Sequence, residues 1–301
     1  MVWQRKLRMV GVYAVLMIWS LFVGIPLYWL TITAFKQSQD LNGATFIPWV
    51  DFQPRFDAFY RVFVTQGELN REPFLNSIIV SLATAIIATL VGGAGGYALA
   101  RFPFRIGSLG NGHIAFAFLI QRMFPPAVLL IPFLLLYRTL NLLDTLHGLI
   151  LAYCAFNIPF AVWIMHDFFR SLPLEIEESA LIDGCSRLGV LFRIAIPLAA
   201  PGFVTAFLLV AITAWNEFLF ALTFAFTDAV TVPLVLSDTG TRSMAVIALT
   251  SLVPVIAAGL ALERYITRGL TFGAVKESEQ RNKVVPPMEL IIVGTRCRRC
   301  H

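Results

Sequence analysis

Charged residues are scarce in this 301-residue chain. Asp, Glu, Lys and Arg make up 14% of it and apolar residues 58%, whereas charged residues make up about 25% of an ordinary soluble domain. So little charge cannot cover the surface of a protein whose remaining side chains are this apolar. The composition excludes a soluble globular protein and predicts an integral membrane protein that contacts the lipid bilayer.

Cysteines and phosphate-binding motifs are also scarce. Four scattered cysteines do not form a disulfide framework. The chain lacks the Gly-x-x-x-x-Gly-Lys-Ser/Thr sequence that cradles ATP phosphates, and its glycine cluster lies inside an uncharged stretch. Within that cluster, Gly92 and Gly96 have the small-xxx-small spacing that lets transmembrane helices pack closely. The sequence therefore predicts helix packing there, and no cofactor or catalytic site in this chain.

Uncharged stretches long enough to cross a bilayer occur six times. A helix needs roughly 20 apolar residues to cross about 30 Å of hydrocarbon. The stretches are Met9 to Phe35, Pro73 to Ala100, Ile106 to Tyr137 with one interruption at Arg122, Thr145 to Met165, Ile194 to Asn216, and Ser243 to Leu262. The predicted fold is an all-α membrane protein with six transmembrane helices.

Basic residues are distributed unequally between the two sides of these spans. With the N-terminus inside, 16 Lys and Arg lie on the inner side and six on the outer side. This asymmetry predicts that both termini are cytoplasmic. The net charge of +5 thus reflects orientation, and no nucleic-acid partner is predicted. The segment from Lys36 to Leu75 is predicted to form an outer cap of loops and short helices.

The loop between spans four and five has the pattern of two short helices. Pro173 suits a first helical turn, Gly184 is a natural stop, and Ser186 can begin a second helix that ends near Pro197.

Small and charged residues in this loop predict a docking surface. Ala180 and Gly184 are four residues apart, so they are expected on one helix face where another surface can approach. Glu178, Asp183 and Arg187 supply charge around them. The alternative is an amphipathic loop that lies on lipid headgroups.

The loop resembles a signature of binding-protein-dependent ABC importer permeases, which is Glu-Ala-Ala, three residues, Gly, nine residues, then Ile-x-Leu-Pro. This chain has Glu178-Ser179-Ala180, then Gly184, then Ile194-Ala195-Ile196-Pro197. The resemblance implies a coupling helix that seats in a cytoplasmic ATPase subunit. The implied ATPase-coupling residues are Glu178, Ser179, Ala180, Asp183, Gly184, Arg187, Ile194 and Pro197.

The resemblance also implies partners: a second permease subunit, two ATPase subunits that bind ATP and Mg, and an extracytoplasmic solute-binding protein. It covers roughly residues 10 to 276. Further similar segments, such as Arg122-Met-Phe-Pro-Pro126 and Trp215-Asn-Glu-Phe218, point to the sugar and polyol branch. The expected transmembrane domain is 1–276, followed by an extension, 277–301, expected to be disordered. Cys297 and Cys300 in that extension lack a second ligand pair, so no metal site is predicted.

Polar residues inside the spans are candidates for the substrate path. Arg122 in span three would cost at least about 2.5–3.5 kcal/mol against lipid, so it is expected to face protein or a water-filled path, with Gln121 beside it. Pro125 and Pro126 are expected to break the helix and free backbone carbonyls. The alternative is a structural arginine that pairs with those carbonyls or with a neighbouring helix.

The other candidates are Asn157 in span four and the run Trp215, Asn216 and Glu217 in span five. The indole offers a surface for a sugar ring, and the amide and carboxylate can bind hydroxyls. The alternative is a polar cluster that holds helices together. An ion-coupled secondary transporter, or an importer of this architecture for another solute, also stays open.

Overall fold

The computed structural model describes residues 2–41, 43, 45–107 and 109–284, and these are almost entirely helical. In chain order the helices are α1 (Val2–Phe35), α2 (Asp57–Tyr60), α3 (Gly67–Arg101), α4 (Asn111–Met123), α5 (Pro126–Thr139), α6 (Leu146–Ser171), α7 (Leu174–Ile182), α8 (Arg187–Val190), α9 (Ile196–Leu198), α10 (Ala200–Trp215), α11 (Leu219–Phe224), α12 (Val232–Asp238) and α13 (Thr241–Val284). A 3-10 turn (Ser38–Asp40), two π-helical turns (Arg61–Thr65 and Leu191–Ala195) and a hairpin of β1 (Arg105–Ile106) and β2 (Leu109–Gly110) complete the list.

Within the part of the chain that the structure describes, four helical segments are long and apolar enough to cross a membrane: Met9–Phe35, Leu69–Arg101, Leu146–Ser171 and Thr241–Ala261. Two bent pairs pass the same test, α4 with α5 at 86° and Arg187–Leu198 with α10 at 70°. If each bent pair is one span, the total is six, the number that the sequence predicts. The continuous helices alone give four. The predicted all-helical membrane fold is therefore confirmed at the level of its class.

Both bends follow from proline. α4 ends at Met123 and α5 begins at Pro126, as predicted from the two prolines. The predicted span from Ile194 to Asn216 is divided, because α9 ends at Leu198, next to the predicted end of the loop helix at Pro197, and α10 begins at Ala200. Pro201 supplies no N–H and its ring crowds the carbonyl four residues earlier, which favours a break at this point.

The centre of the fold is a tight pair of helices, α3 and α6, against which α10 packs. A Cβ atom added to Gly92 would lie 2.8 Å from the backbone carbonyl carbon of Ala161, and one added to Gly96 would lie 2.6 Å from the backbone nitrogen of His166. Only glycine permits this approach of two backbones. The predicted packing role of the glycine cluster is confirmed.

Helix α1 stands apart from this centre. No residue of its most apolar 18-residue stretch is buried, and it packs against α13 and α2, with further contacts from Tyr28 and Trp29 to Phe46. The chain becomes buried only where the helix ends, at Ile32, Thr33, Ala34 and Lys36. Lys36 is fully buried, with its ammonium nitrogen 4.1 Å from the centre of the Trp29 ring.

Candidate functional site

A polar cluster joins three helices beside the bend between α4 and α5. The Arg122 guanidinium donates a hydrogen bond of 3.4 Å to the side-chain oxygen of Asn157 and lies 4.1 Å from the ring centre of Phe160. The same Asn157 oxygen accepts a bond of 2.8 Å from the Thr213 hydroxyl. Arg122 of α4, Asn157 of α6 and Thr213 of α10 are called the polar cluster below.

Of the two kinds of structural partner predicted for Arg122, freed backbone carbonyls and a neighbouring helix, the structure shows the neighbouring helix. The carbonyls freed at Pro125 and Pro126 were candidates, but the contacts that the structure gives are with α6. Gln121 also reaches α6, where its amide donates to the Ala155 carbonyl at 3.1 Å. Asn157 is 5% exposed, whereas Arg122 is half-buried.

The second predicted group divides at the end of α10. Trp215 is buried and lines an apolar cavity of about 240 Å³ with residues of α3, α10 and α13. Asn216 is exposed and donates to the Ile212 carbonyl of its own helix. The Glu217 carboxylate accepts bonds from the backbone N–H groups of residues 219–221, so it caps the short helix α11. The three side chains therefore point to different partners and do not form one sugar-binding surface in this structure.

The segment between α6 and α10 contains the two short helices that the sequence predicts. α7 ends at Ile182, Gly184 has a φ of +88°, and the Ser186 hydroxyl caps α8 by accepting a bond from the Gly189 N–H. A positive φ is strained for most residues with a side chain, so this turn favours glycine. Because α7 stops before Gly184, the four-residue spacing to Ala180 does not put these two residues on one helix face.

Exposure separates the predicted coupling residues into two groups. Ala180 is buried and Ile194 is half-buried. The exposed ones are Glu178, Ser179, Asp183, Gly184, Arg187 and Pro197. The first five of these are called the loop surface below. They lie around a turn where a Cβ added to Gly184 would meet nothing within 4 Å, so the surface is sterically open.

Comparison with known proteins gives the family. Residues 99–271, which include both the polar cluster and the loop surface, match the family model described as "Binding-protein-dependent transport system inner membrane component". The chain belongs to this family.

Related permeases match this one over most of their length. The trehalose transport system permease protein SugB of Mycobacterium tuberculosis is 35% identical over 84% of this chain and 92% of its own. The sulfoquinovosyl glycerol transport system permease protein SmoH of Agrobacterium fabrum is 34% identical over 73% of each. A solved bacterial ABC transporter "involved in the import of the acidic polysaccharide alginate" contains a chain that is 26% identical, with a TM-score of 0.69 over 87% of the permease and 98% of that chain.

The Asp144 side chain fixes a distant loop of the permease. Its carboxylate accepts bonds from the backbone N–H groups of residues 226–229 and from the Thr227 hydroxyl. Partial burial by itself would raise the pKa of Asp144, but these donors together outweigh it and hold the pKa below the ordinary aspartate value. The connection between α11 and α12 is thereby tied to the start of α6.

Two thiols in the described residues differ in access. Cys154 of α6 is buried, whereas Cys185, next to the glycine turn, is half-buried. No group of three or more His, Cys, Asp or Glu side chains suited to a metal occurs among residues 2–41, 43, 45–107 and 109–284. Cys297 and Cys300 lie outside the described residues, as does most of the predicted 277–301 extension.

Sequence reasoning missed Thr213 and the anchoring of α7. Thr213 is one of several hydroxyl residues in apolar helices, and nothing in its neighbours marks it. Arg101 and Tyr97, which hold Glu177, lie in no motif. In the sequence they are only a charge beside span two and a residue within that apolar span. The signal for this contact was the pairing of a basic residue at the end of a span with an acidic residue in the loop that faces it.

Proposed function

We propose that the chain is a permease subunit of an ABC importer for a carbohydrate or polyol. The observation that carries this is the match to binding-protein-dependent permeases over 92% and 73% of relatives named for trehalose and sulfoquinovosyl glycerol transport, respectively. The transmembrane domain is residues 1–276 in a bacterial inner membrane, with six spans, two of them bent, and with both termini cytoplasmic.

The loop surface is the proposed docking site for the ATPase. It is exposed, charged and open around Gly184, as a groove-filling contact requires. Two such permeases, identical or different, together with two ATPase subunits that bind ATP and Mg, make up the transporter. An extracytoplasmic solute-binding protein delivers the solute. ATP-driven closure of the ATPases moves the loop surface and switches the path between inward-facing and outward-facing states.

The polar cluster is the proposed contact with the solute. A half-buried guanidinium, an amide and a hydroxyl supply the donors and acceptors that sugar hydroxyl groups need. Trp215 lines a cavity that is apolar and adjacent to α13, so it contributes an apolar wall rather than a polar contact. Glu217 is occupied by the cap of α11, which argues against a direct role in solute binding.

A reconstituted transporter tests this function. The complete complex is placed in liposomes with its solute-binding protein, and ATP hydrolysis and uptake are measured for trehalose, diacetylchitobiose and a polyol, with spermidine as the non-sugar comparison. Stimulation by one or more of the hydroxylated solutes is expected. Stimulation by spermidine alone would instead show an importer for another solute class. Uptake that persists without the ATPase would support an ion-coupled secondary transporter, which the family match disfavours.

Substitutions of different side-chain size at Gly184 test its docking role. Gly184→Trp is expected to abolish co-purification of the ATPase or to uncouple hydrolysis from uptake, because bulk is placed where the partner approaches. Gly184→Asn, which tolerates a positive φ, separates backbone strain from bulk, and Gly112→Trp places the same bulk at another open, exposed glycine. Normal assembly and uptake of Gly184→Trp would contradict docking at this turn.

A further inference from the structure

Helix α7 has an inward-facing acidic residue that the docking role leaves unused. Glu177 is 5% exposed, although its neighbours Ile176 and Glu178 are exposed. Charged residues are almost never buried unless they are paired. The partner of Glu177 therefore indicates what holds this helix in place.

Glu177 is bound to the last turn of α3. The Arg101 Nε donates to Glu177 Oε1 at 2.8 Å, and the Arg101 Nη2 lies 2.7 Å from the same oxygen. The Tyr97 hydroxyl, one turn earlier on α3, donates to Glu177 Oε2 at 3.0 Å. Both carboxylate oxygens are thus engaged by α3, and both side chains of the ion pair are more than nine-tenths buried.

The same arginine also reaches the end of α6. Its Nη2 donates to the Leu172 carbonyl at 3.4 Å, just after the last residue of α6. Tyr97 packs edge-on against Phe169 of α6, with ring centres 5.2 Å apart. A group that holds α7 therefore touches both helices of the central pair.

The close packing of α3 against α6 favours movement of the two helices as one body. Gly92 and Gly96 put the backbones of α3 and α6 in contact, and such close packing does not deform continuously. By contrast, only Leu172 and Pro173, both in extended conformation, connect α6 to α7 along the chain. A push on α7 would be absorbed by that connection if no side chain bridged it.

We propose that Tyr97, Arg101 and Glu177 form a link that transmits displacement of α7 to the α3–α6 pair, and with it to the polar cluster, to which α6 contributes Asn157. The three are positioning residues and contact neither solute nor nucleotide. The inference rests on the proposed function, because it needs an ATPase that moves α7. It adds to that function a route by which movement of α7 reaches the solute path. The route runs through side-chain contacts with α3, in addition to the backbone connection from α7 to α6.

The test uses the complete transporter in liposomes and measures the ratio of solute-stimulated to basal ATP hydrolysis. Glu177→Gln and Arg101→Gln are expected to assemble with the ATPase but to lower this ratio by about 5-fold or more, which is the lower range of coupling effects between sites. The reversed pair, Arg101→Glu with Glu177→Arg, is expected to recover part of the ratio. Glu175→Gln, at an exposed glutamate on the same helix, is the matched control.

A merely structural role would give a different result. It would lower the thermal midpoint and the yield of the complex. The complexes that do assemble would keep the same ratio of solute-stimulated to basal ATP hydrolysis as Glu175→Gln, and that outcome would overturn the link. If Glu177→Gln gives no complex, the test uses Tyr97→Phe and the reversed pair instead. Tyr97→Phe removes one hydrogen bond and leaves the shape of the side chain nearly unchanged. Failure of the wild-type chain to assemble with any ATPase would overturn the proposed function instead.

Discussion

Many polar residues of this permease form hydrogen bonds with a defined neighbour. Asn157 illustrates this: its oxygen accepts from Arg122 and Thr213, and its nitrogen donates to the Tyr153 carbonyl. Removing a partner from such a group leaves buried donors unpaired, which costs more than the hydrogen bond itself contributes. At this scale, the proposed binding of solute and the packing of helices use the same side-chain atoms.

Asn157→Ala is therefore expected to reduce both stability and uptake. Two donors lose their acceptor, at a cost of about 1–3 kcal/mol in the free energy of unfolding. Thermal unfolding of the purified complex and initial uptake rates measure the two effects. Asn216→Ala is the control for stability, because Asn216 is exposed and bonds only within its own helix. Equal midpoints for the two variants would contradict the role assigned to the polar cluster.

Asp144 gives a prediction in pH. Its pKa is lower in the folded protein than in the unfolded chain, so its stabilising contribution is present above the ordinary aspartate value of about 3.9 and is lost as the pH falls below it. Asp144→Asn is expected to lower the thermal midpoint at pH 7 and to reduce its fall in acid. Asp228→Asn, an exposed aspartate of the same loop, should leave both unchanged.

At the scale of elements, prediction from sequence succeeded where a local rule was sufficient. The prolines predicted the break between α4 and α5, and the spacing of Gly92 and Gly96 predicted the close helix packing that α3 and α6 show. It failed where tertiary partners decide the outcome. Lys36, counted as an outer-side charge, is fully buried beside Trp29, and burial lowers the pKa of its ammonium group although Asp40 and Asp51 oppose this. Glu217 likewise reads as a path residue but caps α11.

The α3–α6 contact predicts a strong effect of size at Gly96. Gly96→Leu would force a side chain into the backbone of α6, so the free energy of unfolding is expected to fall by at least the upper end of the about 1–3 kcal/mol typical of overpacking. Gly24→Leu in α1, where an added Cβ meets nothing within 4 Å, is the control. Detergent stability of the complex separates them, and similar stability of the two variants would show that the helices can move apart freely.

The whole molecule is organised around a compact centre and two bent units whose topology decides the span count. If α4 and α5 together cross the membrane, Arg105 and Asn141 lie on opposite sides. If the bend makes a re-entrant loop, they lie on the same side. Single cysteines at these two positions are expected to react with an impermeant maleimide from opposite sides of intact membrane vesicles. Labelling of both from one side would reduce the count below six.

The half-buried thiol beside the glycine turn has a practical consequence. Cys185 follows Gly184 directly, whereas Cys154 is shielded inside α6. If Cys297 and Cys300 are replaced by serine, Cys185 is left as the accessible thiol for a fluorophore. It lies at the place where the ATPase is proposed to dock. Changes in the fluorescence or accessibility of that dye during ATP hydrolysis would then report when the ATPase binds and releases the loop surface. No new cysteine would have to be introduced into the contact.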